Sequence, residues 1–341
     1  MSGGNCGPTW RGALQRSGEQ GFSLIELMVA MVIGLLLVSG LLTLVMGNLQ
    51  GYGELMKSGY QIENGRFASE ILHDDLAHAG FLGGLSSPLA PAAVPDPCDL
   101  TSAKLESALG LAVQGWNSPN ATTTPGWSCL NSVNYKAGTD VLVVRRVSTN
   151  AVASLSAGNF YLQASPVDYR FGDKDTEFDL PAMKNSVKPD IRVFIQHIYF
   201  ISTCSDCSGN GDGIPTLKRL ELTAVSGSPA LRAVPLVEGI ENLQIDYGLD
   251  DNGNGSPERF VLSPASVAEW ESLVVVRFNL LVRNLESSGG YSDDKKYSLG
   301  GAVSAAGSVT ATEAGPFNDG FKRHVFGLTV RLTNPAGRKE S

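Results

Sequence analysis

The sequence has few of the residues and motifs on which most catalytic sites are built. It contains only 4 histidines in 341 residues. It has no Gly-x-Ser-x-Gly nucleophile elbow, no phosphate-binding glycine loop before a Lys-Ser or Lys-Thr pair, and no His-Glu-x-x-His zinc motif. These absences argue against the familiar serine hydrolases, P-loop nucleotidases and zinc peptidases, and we predict that the chain is not an enzyme.

The sequence also lacks an excess of basic residues. Lys and Arg number 26 against 34 Asp and Glu, which gives a formal net charge of −8 at pH 7. Because nucleic-acid binding depends on basic surface, we expect no nucleic-acid partner. A composition of 43% apolar and 18% charged residues is typical of a globular chain, and the length allows a sizeable core.

Charge is absent from one long stretch near the N-terminus. Residues 27–46 carry no ionisable side chain, and a helix of that length spans roughly 30 Å, the thickness of a bilayer core. The stretch therefore predicts a membrane-spanning helix. Glu26 directly precedes it, and because a carboxylate exposed to lipid is unfavourable, we expect Glu26 to have a partner. The non-apolar residues within the stretch are Gly34, Ser39, Gly40 and Thr43.

Gly21, Phe22 and Glu26 form a motif at the start of this helix. A secretory signal peptide fits poorly, because its apolar region is about 7–15 residues long and ends at an A-x-A-like site. The pattern Gly-Phe-x-x-x-Glu resembles the type IV prepilins. The resemblance implies that a prepilin peptidase cuts between Gly21 and Phe22 and methylates the new N-terminus at Phe22. It also implies that Glu26 neutralises the terminal amine of a neighbouring pilin during assembly, since paired charges relieve each other's desolvation.

The N-terminal part of the chain is accordingly divided into three segments. Residues 1–21 are predicted to be a prepilin leader peptide, residues 22–47 a transmembrane and assembly helix, and residues 48–84 an amphipathic helix half that packs on the head. The acidic residues of this half, Asp75 among them, are predicted to lie mostly away from its apolar stripe. The stripe consists of Leu55, Ile62, Phe67, Ile71, Leu72 and Leu76.

Cysteine usage indicates a compartment in which disulfides persist. Cys6 lies in the predicted leader, and the other four cysteines lie beyond the helix. Four cysteines allow three connectivities, of which we predict Cys98–Cys129 and Cys204–Cys207, because each pair brackets a turn-rich segment. A redox motif or half of a zinc site is the alternative for Cys204-x-x-Cys207. No second Cys-x-x-Cys accompanies it, however, and a loop follows where a redox motif has a helix.

The remainder of the chain, residues 85–341, is predicted to be a β-rich head. Residues 86–135 are predicted to be a long loop region with at most a short helix near residues 103–109, and residues 286–317 a long exposed loop or hairpin tip. A short helix near residues 267–271 would place Trp270 in the core. With the long helix laid on an antiparallel sheet, the fold class is α+β. The predicted strands are residues 141–147, 160–162, 191–203, 216–225, 233–248, 259–262, 272–283 and 323–332.

Three segments of the chain resemble the PilW family of minor pilins. One is residues 237–248 with the Asp/Asn/Gly loop that follows, and another is residues 270–283 with its Val-Val-Val-Arg sequence. The third is the end of the long helix, near residues 72–81. The resemblance implies a pilin-like fold, in which a long N-terminal helix packs onto an antiparallel head.

The loop between two predicted strands at residues 250–258 matches the opening of a calcium loop. Counted from Asp250, it follows the pattern D-x-[DN]-x-[DN]-G, in which hard oxygen ligands surround the ion. The twelfth position is Val261 instead of glutamate, so this is no EF-hand. The alternative is an ordinary hairpin loop. Calcium is therefore a possible cofactor, with candidate ligands Asp250, Asn252, Asn254, Ser256 and Glu258.

The function that follows from the resemblance is that of a minor pilin, which primes the assembly of a type IV pilus and sits at its tip. The alternatives are a minor pseudopilin of a type II secretion system and a pilus-tip adhesin head. Expected partners are other minor and major pilins, prepilin peptidase, inner-membrane lipid and a tip adhesin. The protein is expected in the bacterial inner membrane with its head in the periplasm, and on the cell surface in the pilus after assembly.

Overall fold

The structure is a computed structural model. It describes residues 21–88, 90–118, 124–182, 187–303 and 309–340, so the predicted leader lies outside the described residues except for Gly21. The chain divides into two compact units, of which the first ends at Glu54 and the second begins at Leu55. The segment boundaries after residues 47 and 84 stay predictions.

The long N-terminal helix is the first element of the fold. α1 (Leu24–Ala77) contains a stretch long and apolar enough to cross a membrane. Leu, Met and Ala, all strong helix formers, dominate its first half. The helix ends at Ala77, shortly before Gly80, which has a left-handed φ of +70° and whose amide donates a hydrogen bond to the carbonyl of Arg145.

The first sheet of the head is antiparallel throughout its described strands. Its spatial order is β1-β2-β5-β3-β4, and β6 also pairs with β5 and carries β7 at the edge. The strands are β1 (Val113–Trp116), β2 (Val141–Ala151), β3 (Tyr161–Ala164), β4 (Tyr169–Gly172), β5 (Ile191–Ser202), β6 (Thr216–Val225) and β7 (Ser228–Glu238).

The second sheet is also antiparallel, in the order β12-β11-β9-β8-β10-β13. Its strands are β8 (Ile240–Leu249), β9 (Arg259–Val261), β10 (Leu273–Arg283), β11 (Tyr297–Val303), β12 (Val309–Ala314) and β13 (Arg323–Arg331). The head also contains three described α-helices, α2 (Ser102–Ser107), α3 (Val267–Glu271) and α4 (Thr333–Lys339). The α+β class is confirmed, and the head carries two sheets instead of the single one predicted.

Two segments differ from the predicted strand pattern. The run at 233–248 was predicted to be one strand, but Gly239, with a φ of +79°, divides it into β7 and β8, which belong to different sheets. The predicted loop at 286–317 contains the β11–β12 hairpin. The predicted loop at 86–135 contains β1 and α2, and α2 lies where a short helix was allowed.

The second half of α1 packs on both sheets. Ala68, Leu72 and Leu76 are fully buried among apolar residues of β2, β5, β8 and β10. Gly65 permits close approach, because a Cβ there would lie 2.3 Å from the ring of Phe326. Burial of these apolar side chains stabilises the packing of the helix on the head.

The predicted apolar stripe was wrong in its N-terminal part. Leu55 and Phe67 are 73% and 52% exposed, Ile62 is half exposed, and Asp75 is only 4% exposed. The buried strip follows the spacing 61, 65, 68, 72, 75 and 76. It contains the small residues Gly65 and Ala68, and at Gly65 the ring of Phe326 leaves no room for a side chain.

Candidate functional site

The N-terminus of α1 holds the predicted processing and assembly residues. Phe22 is 89% exposed, and Gly21 and Phe22 precede the first helical residue, Leu24. The peptide bond predicted to be cleaved therefore lies in non-helical, accessible backbone. A peptidase needs such a substrate, so the geometry suits the predicted cleavage, which stays a prediction.

Ser23 and Glu26 form a reciprocal capping pair at this end of the helix. The amide of Ser23 donates to Oε2 of Glu26 at 3.0 Å, and the amide of Glu26 lies 3.4 Å from Oγ of Ser23. This is the pattern of a capping box, which satisfies amides that the first helical turn leaves unpaired. The carboxylate of Glu26 thus already accepts a hydrogen bond within its own chain.

The apolar part of α1 has no covering within its unit. Its large side chains from Leu24 to Met46 are more than half exposed, and no atom lies within 4 Å of a Cβ built on Gly34 or Gly40. Its two hydroxyls are satisfied internally, since Ser39 donates to the carbonyl of Leu36 and Thr43 to that of Ser39. A helix with apolar faces and internally bonded hydroxyls suits lipid or other apolar helices.

The C-terminal end of α1 is fixed by a buried ionic site at Asp75. This residue was predicted to lie away from the apolar stripe of the helix. Oδ1 accepts a bond from Nε of Arg146 at 2.8 Å, and Oδ2 lies 2.6 Å from Nδ1 of His197. The hydroxyl of Tyr199 also donates to Oδ2, at 2.9 Å. Helix and first sheet are therefore joined by one carboxylate that contacts β2 and β5.

The electrostatics of Asp75 follow from these contacts. Burial alone would raise the pKa of its carboxyl, but the hydrogen bonds and charges of His197 and Arg146 hold that pKa well below its usual value. Asp75 follows Leu72 by three residues and Ala68 by seven, so it lies on the same face of the helix as these buried residues. This helical spacing is the sequence signal that could have predicted its burial against the head.

The described cysteines form the two predicted disulfides, and the predicted pairing is confirmed. Cys98–Cys129 spans a sequence separation of 31 and Cys204–Cys207 a separation of 3. The first ties the segment before α2 to a 3₁₀ turn before β2. The second lies at the start of the loop that joins β5 to β6.

The candidate calcium loop joins β8 to β9. The carboxylate of Asp250 is fully buried and lies 3.7 Å from Nζ of Lys339. It accepts hydrogen bonds at 2.6 to 3.1 Å from three backbone amides of the loop. These amides belong to Gly253, Asn254 and Gly255.

The other candidate ligands are bonded within the same loop. Oδ1 of Asn252 accepts from the amide of Asn254, and Oδ1 of Asn254 accepts from the amide of Ser256. Glu258 accepts from the amide of Asp251 and from Nδ2 of Asn252. Among the residues that the structure describes, no three His, Cys, Asp or Glu side chains come together as a metal site. Calcium would have to replace these amide contacts, and its binding stays a prediction.

Thermal melts of the full-length protein with calcium and with chelator test that prediction. A calcium-filled loop would raise Tm in calcium, because a ligand that binds only the folded state stabilises it. Glu258→Gln would remove most of the increase. Identical melting curves in calcium and chelator would contradict the calcium prediction.

Comparisons with known proteins agree with the resemblance drawn from the motifs. Residues 198–334 match the family described as Type IV Pilus-assembly protein W, and residues 16–42 match the prokaryotic N-terminal methylation motif. The first match runs from β5 to α4, and the second covers Gly21 and Phe22, between which cleavage is predicted, and Glu26. No curated protein matches the chain.

A search of solved structures finds the type IV-like pilin TTHA1219 from Thermus thermophilus. It is 9% identical, with a TM-score of 0.36, and the match covers 80% of this chain and 96% of the pilin. At this TM-score the similarity supports no argument, so the fold assignment depends on the helix and sheets of the chain itself. The resemblance to type IV prepilins and the PilW family is confirmed by the two sequence matches.

Proposed function

We propose that this chain is a minor pilin that primes the assembly of a type IV pilus and sits at its tip. It is anchored in the inner membrane by residues 22–47, with its head in the periplasm before assembly. The observation that carries the proposal is an uncovered apolar helix with Glu26 in its first turn, preceded by the exposed, non-helical residues Gly21 and Phe22. The match to Type IV Pilus-assembly protein W supports a pilus role over a secretion pseudopilus.

The N-terminal helix supplies the assembly chemistry. Removal of residues 1–21 would create an amine at Phe22, and Glu26 of one subunit would pair with the amine of another among apolar helices. Two opposite charges that leave water together offset part of each other's desolvation. The carboxylate exchanges its bond to the Ser23 amide for a stronger, charge-assisted one.

The head supports a position at the tip. Two sheets and their connecting loops are attached to a single helix, and such a bulky unit fits poorly into a close helical lattice of subunits. At the tip it has no neighbour above it. The described loops of the head would then be the surfaces that reach other cells or an adhesin.

Immunogold labelling of purified fibres tests the proposed position. Label confined to fibre ends supports it, and label distributed along the fibres would contradict it. A deletion strain separates the pilus role from the secretion role. Loss of piliation and twitching motility with normal exoprotein secretion is expected, and the reverse result would identify a pseudopilin.

A further inference from the structure

The loop that joins β5 to β6 brings a lysine ammonium onto a disulfide. Nζ of Lys218, on β6, lies 3.2 Å from Sγ of Cys207, and the lysine is only 7% exposed. Cys207 is half-buried, whereas Cys204 is only 5% exposed, so Cys207 is the more accessible of the two residues. Strand β6 fixes the lysine in the sheet, so its position does not depend on the loop.

An ammonium beside a cysteine favours its thiolate form. Thiolates next to Lys, Arg or protonated His have lowered pKa values, and a disulfide whose reduced form is stabilised in this way is more easily reduced. In the oxidised protein the contact of Lys218 with Sγ of Cys207 is only a weak hydrogen bond. Lys218 gains a full ionic partner when the disulfide opens.

The loop is held independently of the disulfide. The carboxylate of Asp212 accepts hydrogen bonds from the amides of Ser205, Asp206 and Ile214 at 2.8 to 2.9 Å. Because Cys204–Cys207 closes a very short loop, it also restricts the unfolded chain less than Cys98–Cys129 does. The loop can therefore open its disulfide and keep its shape.

We propose that Cys204–Cys207 is a thiol-exchange site, in which the attacked sulfur is Sγ of Cys207 and Lys218 stabilises the Cys207 thiolate that the second step of the exchange releases. The substrate class is a thiol. In the first step a thiolate forms a bond to Sγ of Cys207, the Cys204–Cys207 bond breaks, and its electron pair leaves on Cys204, which takes a proton from water.

A second thiol completes the exchange. Its thiolate attacks the sulfur of the first thiol in the mixed disulfide, and Cys207 leaves as a thiolate beside the ammonium of Lys218. The protein disulfide has gained two electrons, and two thiols have become one disulfide. Thr203, whose Oγ1 lies 3.8 Å from Sγ of Cys204, can donate to the first leaving group.

Other charged groups near the site weaken the effect without cancelling it. Asp206 and Asp212 face the ammonium of Lys218 from the loop, but both carboxylates accept backbone amides. Glu238 bonds the hydroxyl of Ser205. Arg283 donates to the carbonyl of Gly213 at the far end of the loop.

The test is a redox titration of the full chain, purified in detergent, followed by alkylation and mass spectrometry. Glutathione and reduced thioredoxin are used as separate reductants, to distinguish a small thiol from a protein dithiol. Cys98–Cys129 is the internal control. We expect Cys204–Cys207 to open at a ratio of reduced to oxidised reductant at least about tenfold lower than the control disulfide requires. The glutathione adduct should form on Cys207.

Variants at Lys218 and Asp206 make the test specific. Lys218→Met should raise the required reductant ratio roughly three- to tenfold, and Lys218→Arg should restore it. Asp206→Asn, in the exposed loop, keeps the amide contact and should lower the ratio, so it tests the same electrostatics if the buried variant fails to fold. Opening of both disulfides together, an adduct on Cys204, or no response to Asp206→Asn would overturn the proposal.

Discussion

Glu26 takes part in two interactions, a helix cap within its own chain and the proposed charge pair with another subunit. The two can be separated by substitution. Glu26→Gln keeps an oxygen for the Ser23 amide but loses the charge, whereas Ser23→Ala removes the hydroxyl that Glu26 bonds and keeps the charge. These variants distinguish capping from assembly.

We predict that Glu26→Gln leaves cleavage intact and prevents recruitment into fibres, because the partner's amine loses its counter-charge. Ser23→Ala should be recruited, with the helix start weakened by about 0.5–2 kcal/mol. Immunoblots of membrane and sheared-fibre fractions measure both effects. Normal amounts of the Glu26→Gln protein in fibres would contradict the charge-pair mechanism.

Asp75 gives the head a predictable response to acid. Its folded-state pKa lies below the unfolded value of about 3.9, so the stability it contributes is present above that pH and is lost as pH falls towards the folded pKa. Asp75→Asn should lower the free energy of unfolding by about 3–5 kcal/mol at pH 7, since it leaves Arg146 without a counter-charge. At pH 3 the difference from the wild type should shrink.

Urea unfolding followed by tryptophan fluorescence measures this difference. Asp74→Asn is the matched control, because Asp74 is the exposed neighbour, and it should change stability by no more than about 0.5 kcal/mol. An equal effect of the two substitutions, or one independent of pH, would show that Asp75 does not fix the helix end.

At the scale of elements, apolar periodicity in the sequence predicted where the elements lie better than it predicted which elements contact each other. The strands of continuous or alternating apolar residues, such as β2 and β10, were found because their sequences repeat the pattern of a buried sheet. A hairpin tip was one alternative for residues 286–317, but the strands β11 and β12 were not predicted, because buried charges hold their surroundings. Arg323 contacts Glu241, Asp293 and Asp319. A buried charged residue such as Asp293 is not revealed by the apolar pattern from which strands are predicted.

Gly65 and Gly59 give a matched pair of helix substitutions. Gly65→Ala should destabilise the head by about 1–3 kcal/mol, because the new methyl group would overlap the ring of Phe326. Gly59→Ala has open space and should stabilise by up to about 1 kcal/mol through helix propensity. Thermal melts of the two proteins should therefore shift in opposite directions. Shifts of the same sign would mean that α1 does not pack on β13 as described.

At the scale of the whole molecule, the sequence was sufficient for the long apolar N-terminal helix, the disulfides and the fold class. That helix depends on one uncharged run and one short motif, both of which are local in sequence. The two-sheet division and the Asp75 site were not predictable in the same way. They depend on contacts between residues more than 70 positions apart, such as Asp75 with Arg146 and His197.

Mass spectrometry of the N-terminal peptide from the protein isolated from its native membrane tests the central claim most directly. The account predicts a chain that begins at an N-methylated Phe22, and Gly21→Ala should leave uncleaved precursor in the inner membrane. A native chain that begins at Met1, or at an A-x-A-type cleavage site, would contradict the pilin assignment.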